Sequence, residues 1–70
     1  MMTNTEITNL IADEFEGKAW IKNDIYRVYL AKRGYATIEK GKVNIDLVNR
    51  NQFDEVKAFC NDKNIACGRW

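Results

Sequence analysis

The sequence predicts an α+β protein in which a helix, an antiparallel meander of three or four strands and a second helix follow one another. Apolar residues recur at three- and four-residue steps near both ends of the chain, whereas they alternate with polar residues between residues 18 and 48. Glycines separate the alternating runs, as tight hairpin turns require. With 70 residues, of which 46% are hydrophobic, the chain is expected to form one small domain over residues 1–70.

The first helix is predicted from an apolar stripe that is followed by a glycine. The stripe consists of Ile7, Leu10, Ile11 and Phe15. Thr3 and Glu6 have the spacing of a capping box, so we expect the helix to begin near residues 3–5. Gly17 lies just past the stripe and is expected to be the C′ residue that ends the helix.

The central part of the chain predicts strands because apolar and polar residues alternate there. The clearest strand is residues 42–48, and one face of it carries Val43, Ile45 and Leu47. Two preceding strands would place on that same face Tyr26, Val28, Leu30, Ala36 and Ile38. Residues 18–22, around Trp20, are a candidate fourth strand. The predicted turns are Asn23-Asp24, Arg33-Gly34 and Lys40-Gly41.

The last third of the chain returns to helical spacing, with an apolar face formed by Phe53, Val56, Phe59 and Cys60. We expect this helix to fray near residues 61–64. Residues 65–70 would then form an edge strand, or Trp70 would pack against the sheet. Both helices are expected on one face of the sheet, which leaves the opposite face without a covering element. An antiparallel sheet tolerates one solvated face.

The uncovered face carries the candidate functional residues. The predicted register places on it Ile25, Arg27, Tyr29, Tyr35, Thr37, Glu39, Lys42, Asn44 and Asp46. Tyrosine and arginine are enriched in interface hot spots and also stack on nucleobases. The candidate partner-binding residues are therefore Arg27, Tyr29 and Tyr35, together with the nearby basic residues Lys22 and Arg33.

Three interpretations of this face stay open. The residues can stabilise the sheet without binding anything, with Tyr29 beside Tyr35 across the hairpin and Arg27 reaching Glu39. They can also bind a protein partner, as in a small regulator, inhibitor or accessory protein of the kind that phages and other mobile elements encode. A second copy of the chain, forming a homodimer, is a variant of this interpretation. The alternative is a nucleic-acid-binding protein that uses the basic and aromatic sheet face.

The charge distribution favours a protein partner over a nucleic acid. Residues 18–43 carry seven basic and two acidic side chains, but the whole chain has a net charge of only +1 and a pI near 7.7. Proteins that bind phosphates strongly are usually clearly basic. Helix, three strands and helix is also the order of elements in double-stranded-RNA-binding domains. Those domains carry a lysine cluster at the start of the final helix, where this chain has the acidic segment 51–55.

Composition also limits the chemistry. The chain has no histidine, which excludes catalysis and metal binding through that residue. Cys60 and Cys67 lack the further ligands of a zinc site, and we expect both to be reduced. A chain of this size has little room for a catalytic cleft, which typically needs about 300 Å³. We therefore expect a non-enzymatic cytoplasmic protein without a cofactor or a metal. Neither a membrane span nor a secretion signal is expected.

Overall fold

The computed structural model describes residues 2–30, 34–46 and 50–69, which form two helices and five strands. In chain order, these elements are α1 (Asn4–Glu14), β1 (Lys18–Lys22), β2 (Ile25–Tyr29), β3 (Tyr35–Glu39), β4 (Lys42–Asp46), α2 (Arg50–Asp62) and β5 (Ala66–Arg69). The α+β class, both helices and the antiparallel strands agree with the prediction. Residues 18–22 form the fourth strand of the meander.

The five strands form one sheet in the order β1-β2-β3-β4-β5. The first four strands pair antiparallel, whereas β5 pairs parallel to β4 after the crossover through α2. The predicted order of helix, meander and helix is therefore incomplete, because a strand follows the second helix and makes the sheet mixed. The chain end forms an edge strand, one of the two arrangements that were expected. Trp70 lies outside the described residues.

Two tight turns fix the register of the meander. Asn23 and Asp24 have φ values of 52° and 65°, and Lys40 and Gly41 have φ values of 51° and 75°. Positive φ at both central residues identifies type I′ turns, whose twist matches that of an antiparallel hairpin. Both turns were predicted. At the third turn Gly34 has a φ of 97°, while Arg33 lies outside the described residues.

The capping box at the start of α1 is present as predicted. The backbone N–H of Glu6 donates to the Thr3 hydroxyl at 3.1 Å, and the Thr3 N–H donates to the Glu6 carboxylate at 2.9 Å. These hydrogen bonds lower the pKa of Glu6. The side chain of Asn4 accepts a hydrogen bond at 3.0 Å from the N–H of Gly41, which ties the start of the helix to the β3–β4 turn.

The end of α1 differs from the prediction. Glu16, rather than Gly17, adopts the left-handed conformation, with a φ of 52°. Gly17 follows as the C″ residue, and its N–H donates to the carbonyl of Ala12 at 2.9 Å, as in a Schellman motif. Glycine is required at position 17 for another reason. A Cβ there would lie 2.7 Å from a methyl carbon of Val28 and 2.8 Å from the carbonyl oxygen of Tyr29.

The second helix ends in the same way and directs the chain into β5. Asn64 is left-handed with a φ of 59°, and the N–H of Ile65 donates to the carbonyl of Cys60 at 2.8 Å. Ile65 is itself buried. The region predicted to fray is thus a defined helix end that brings residue 66 alongside β4.

The core lies between one face of the sheet and both helices. Its buried apolar members are Ile7, Ile11, Val28, Leu30, Ala36, Ile38, Val43, Ile45, Val56, Cys60 and Ile65. The helices also touch each other, because the rings of Phe15 and Phe59 pack edge to face with centroids 5.6 Å apart. Leu47, which was expected in the core, lies outside the described residues. In the part of the chain that the structure describes, neither helix is long and apolar enough to cross a membrane.

The close approach at Gly17 predicts a stability difference between two glycine substitutions. Gly17→Ala should lower the free energy of unfolding by about 1–3 kcal/mol, because backbone and a buried methyl group must give way. Gly68→Ala is the matched control. Its Cβ would meet only the tip of Lys42, at 3.2 Å, which can move aside, so we expect a change below about 0.5 kcal/mol. Urea unfolding measures both values, and equal losses would contradict this packing.

Candidate open sheet face

The face of the sheet opposite the helices, called the open face below, is built from alternate residues of all five strands. Cross-strand partners share a face of the sheet, so the register assigns its members directly. On the four antiparallel strands they are Lys18, Trp20, Lys22, Ile25, Arg27, Tyr29, Tyr35, Thr37, Glu39, Lys42, Asn44 and Asp46, and on β5 they are Ala66 and Gly68. All nine residues that the sequence predicted for this face lie on it. Both helices pack on the other side, so no element of the described ranges covers the open face.

Arg27, Tyr29 and Tyr35 form a contiguous cluster on the open face. The rings of Tyr29 and Tyr35 lie in a tilted arrangement with centroids 6.1 Å apart, as expected for directly opposed residues. The guanidinium carbon of Arg27 lies 5.1 Å from the centroid of the Tyr35 ring. A planar cation over an aromatic face is an attractive arrangement because the ring carries a negative face.

The predicted contact between Arg27 and Glu39 is wrong. Thr37 is the residue directly opposite Arg27, and Tyr35 and Glu39 are its two diagonal neighbours on β3. The guanidinium lies over the tyrosine, and no ion pair to Glu39 forms among the described side chains. Stacking lets the guanidinium cover an apolar ring, whereas an exposed ion pair gains little in water.

The stacked arrangement leaves one polar atom of Arg27 without a partner. Its Nε is buried and has no hydrogen-bond acceptor. Thr37 beside it is only 7% exposed, although it lies on the open face. A buried donor without an acceptor costs about 1–3 kcal/mol. The centre of the open face therefore carries a buried donor without an acceptor among the described residues.

The sequence interpretation did not assign Trp20 to this face. Trp20 lies directly opposite Arg27 and is 39% exposed. The sequence does contain a pattern that would place Trp20 there, since Lys18, Trp20 and Lys22 alternate with Ala19 and Ile21. A two-residue turn at Asn23-Asp24 then sets Lys22 opposite Ile25 and Trp20 opposite Arg27. The aromatic surface is thus one side chain larger than predicted.

Of the two basic candidates beside the cluster, Lys22 and Arg33, the structure describes only Lys22. Lys22 is exposed at the end of β1 and lies on the open face opposite Ile25, two residues from Trp20. Arg33 lies outside the described residues.

A cavity of about 340 Å³ at the turn end of the sheet is lined in part by Ile25, Thr37 and Glu39. Its lining also includes Asn4 of α1 and the covered-face residues Tyr26 and Ile38, so the cavity lies at the end of the sheet and borders both faces.

The two cysteines lie on the covered side of the sheet and carry no disulfide. Cys60 is fully buried in α2, and Cys67 is half-buried on β5. A hydrogen bond from the Cys60 thiol to the Cys67 sulfur raises the pKa of Cys60 and lowers that of Cys67. Burial opposes the lowering, and the charges of Lys57 and Lys42 add to it. Cys67 is therefore the better nucleophile of the two.

Comparison with protein-family models, with curated proteins and with solved structures gave no match in any of the three. Within residues 2–30, 34–46 and 50–69, no group of three or more carboxylates and thiols is placed to hold a metal ion.

The thiol pair predicts an order of reactivity. In the folded protein at neutral pH, iodoacetamide should alkylate Cys67 at least about tenfold faster than Cys60, because the thiolate is the nucleophile and Cys60 is buried. The rate at Cys67 should reach its plateau at a lower pH than for a free cysteine. Timed alkylation with peptide mass spectrometry gives both rates. Unfolding in urea, as a control, should make them equal, and faster reaction at Cys60 in the folded state would refute the arrangement.

Proposed function

We propose that this protein is a small, non-enzymatic, intracellular binding module that holds a protein partner on its open face. The observation that carries the proposal is the cluster of Arg27, Tyr29 and Tyr35, extended by Trp20, on a face that no described element covers. Tyrosine, tryptophan and arginine are the residue types that dominate binding energy in protein interfaces.

The exposure of the cluster supports this function. Tyr29 is 44% exposed and Trp20 is 39% exposed, and Ile25 on the same face is 43% exposed. Single exposed apolar residues are common, but these lie on two neighbouring strands of one face. A partner that covers them gains apolar burial at little cost in side-chain entropy, because the ring stacking already restrains the tyrosines.

Arg27 indicates the chemistry of the partner. Its guanidinium carries five N–H donors, and the buried Nε donor has no acceptor. A carboxylate from the partner could accept two parallel hydrogen bonds once the side chain rotates from the ring of Tyr35. The partner surface that fits therefore combines apolar side chains with at least one carboxylate near its centre.

The charges of the open face favour a protein surface over a phosphate backbone. Four basic residues lie on it, but Glu39 is directly opposite Lys42, and Asp46 is directly opposite Tyr35. A phosphate backbone would meet both carboxylates.

The absence of two common catalytic residue types supports the non-enzymatic part of the proposal. The 70 residues include neither histidine nor serine. Cys67, the more reactive thiol, lies on the covered side of the sheet, away from the tyrosine cluster. The open face therefore offers surfaces to bind and no activated nucleophile.

The test is capture of the native partner by tagged protein, compared between matched variants. Arg27→Ala combined with Tyr29→Ala should weaken binding by at least about thirtyfold, since the loss of a single anchor of this kind costs about 2 kcal/mol or more. The fold should survive because neither side chain lies in the core. Lys57→Ala removes one positive charge from the exposed surface of α2 and serves as the control, which should bind normally.

Three results would refute the proposal. One is normal binding by the double variant. Another is unfolding of that variant, which would assign the tyrosine cluster to sheet stability. The third is capture that nuclease abolishes or that falls steeply with salt, because both are signatures of a nucleic-acid partner.

A further inference from the structure

The edge strand β1 is the most exposed element of the sheet. It is the first strand in the sheet order, so its outer side has no neighbouring strand within the described residues. All five of its residues are exposed. Trp20 is 39% exposed and Ile21 is 44% exposed. An uncovered edge of this kind is a template for pairing with another extended chain.

The register shows which backbone groups face outward. A two-residue type I′ turn closes on a hydrogen-bonded pair, here Lys22 with Ile25. Hydrogen-bonded and non-hydrogen-bonded pairs then alternate, so Lys18, Trp20 and Lys22 bond to β2. The N–H and C=O groups of Ala19 and Ile21 consequently point away from the sheet. They are four backbone groups in position for a further strand.

The side chains of β1 define what a further strand must carry. On the open face Trp20 is flanked by a lysine on either side, at positions 18 and 22. On the other face Ala19 and Ile21 lie opposite Val28 and Tyr26, yet both are exposed. The cover provided by α1 therefore stops short of this edge and leaves an apolar strip beside it.

We propose that β1 is a docking edge at which an acidic, extended segment of a protein partner adds antiparallel as a sixth strand. Carboxylates of the segment would lie opposite Lys18 and Lys22, and apolar residues would lie beside Ala19 and Ile21. The proposal rests on the proposed function, since it names the part of the partner that the module holds. Backbone hydrogen bonds supply affinity in such complexes, and alternate side chains supply specificity.

Charge argues against a second copy at this edge. Two β1 strands paired antiparallel about Trp20 would set Lys18 of each copy opposite Lys22 of the other. Like charges directly opposite each other destabilise a sheet. Edge lysines discourage self-pairing in many sheets, and here the same two charges select an acidic chain.

The probe is a synthetic peptide with the symmetric core Glu-Val-Thr-Val-Glu, capped at both ends. In antiparallel pairing, its two valines lie opposite Ala19 and Ile21 and form the hydrogen bonds to β1. N-methylation of both valines should therefore weaken binding at least about tenfold. N-methylation of the threonine, whose N–H points away from β1, should change affinity less than about threefold. Amide chemical shifts of β1 in the ¹⁵N-labelled protein, followed through a titration, give each affinity.

Charge exchange provides the matched control. A peptide with lysine in place of both glutamates should bind wild-type protein at least about tenfold more weakly than the acidic peptide. The double variant Lys18→Glu with Lys22→Glu should reverse this preference, and both positions are exposed, so folding should be retained. Binding that is indifferent to peptide charge would overturn the proposal. Equal effects of the two kinds of N-methylation would overturn strand addition.

The peptide experiment on β1 can fail independently of the test of the open face. The peptide core pairs with β1 alone and reaches neither Tyr29 nor Tyr35, which lie on β2 and β3. Absence of peptide binding to wild-type protein would refute the docking edge and leave the proposed function standing. Normal partner capture by the variant lacking Arg27 and Tyr29 would refute the open face, whatever the peptide does.

Discussion

The register of the antiparallel meander is the constraint on which the rest of this structure depends. Side chains alternate between faces, so a slip of one residue would expose Val43 and Ile45 and bury their charged neighbours. Type I′ turns at residues 23–24 and 40–41 hold two of the three hairpins in register. The same alternation that assembles the core therefore places Arg27, Tyr29 and Tyr35 together on the opposite face.

Small size explains why one face can stay open. Both helices are used to cover one side of the sheet, and the two contact each other through Phe15 and Phe59. No further element of the described residues is left for the other side. That side keeps apolar rings at its surface and the Arg27 Nε without an acceptor. A bound partner would bury the rings and could supply the missing acceptor. The docking edge adjoins it through Trp20, so one partner could occupy both.

Local patterns were sufficient to predict the helices, the meander and the part of the open face that β2, β3 and β4 supply. The strand at residues 42–46 and the capping box at Thr3 each depend on neighbours only a few residues away. Strand β5 was harder because four residues that include a glycine carry almost no alternation, and their parallel pairing with β4 depends on the crossover through α2. The contact of Arg27 was predicted with Glu39 rather than with Tyr35, because the sequence alone does not show which of these two diagonal neighbours the guanidinium meets. Gly17 illustrates a similar limit, since a contact with another strand, rather than the helix end, requires glycine there.

The most direct test of the register is the set of Hα–Hα nuclear Overhauser effects between β2 and β3. The N–H of Leu30 donates to the carbonyl of Gly34 at 3.2 Å, which marks that pair as hydrogen-bonded. Alternation then makes Arg27–Thr37 and Tyr29–Tyr35 non-hydrogen-bonded pairs, whose Cα atoms lie only about 4.5 Å apart. Strong Hα–Hα effects are expected between Arg27 and Thr37 and between the two tyrosines. Effects from Arg27 to Ala36 or Ile38 in their place would mean a slipped register, and both the core and the open face as described would then be wrong.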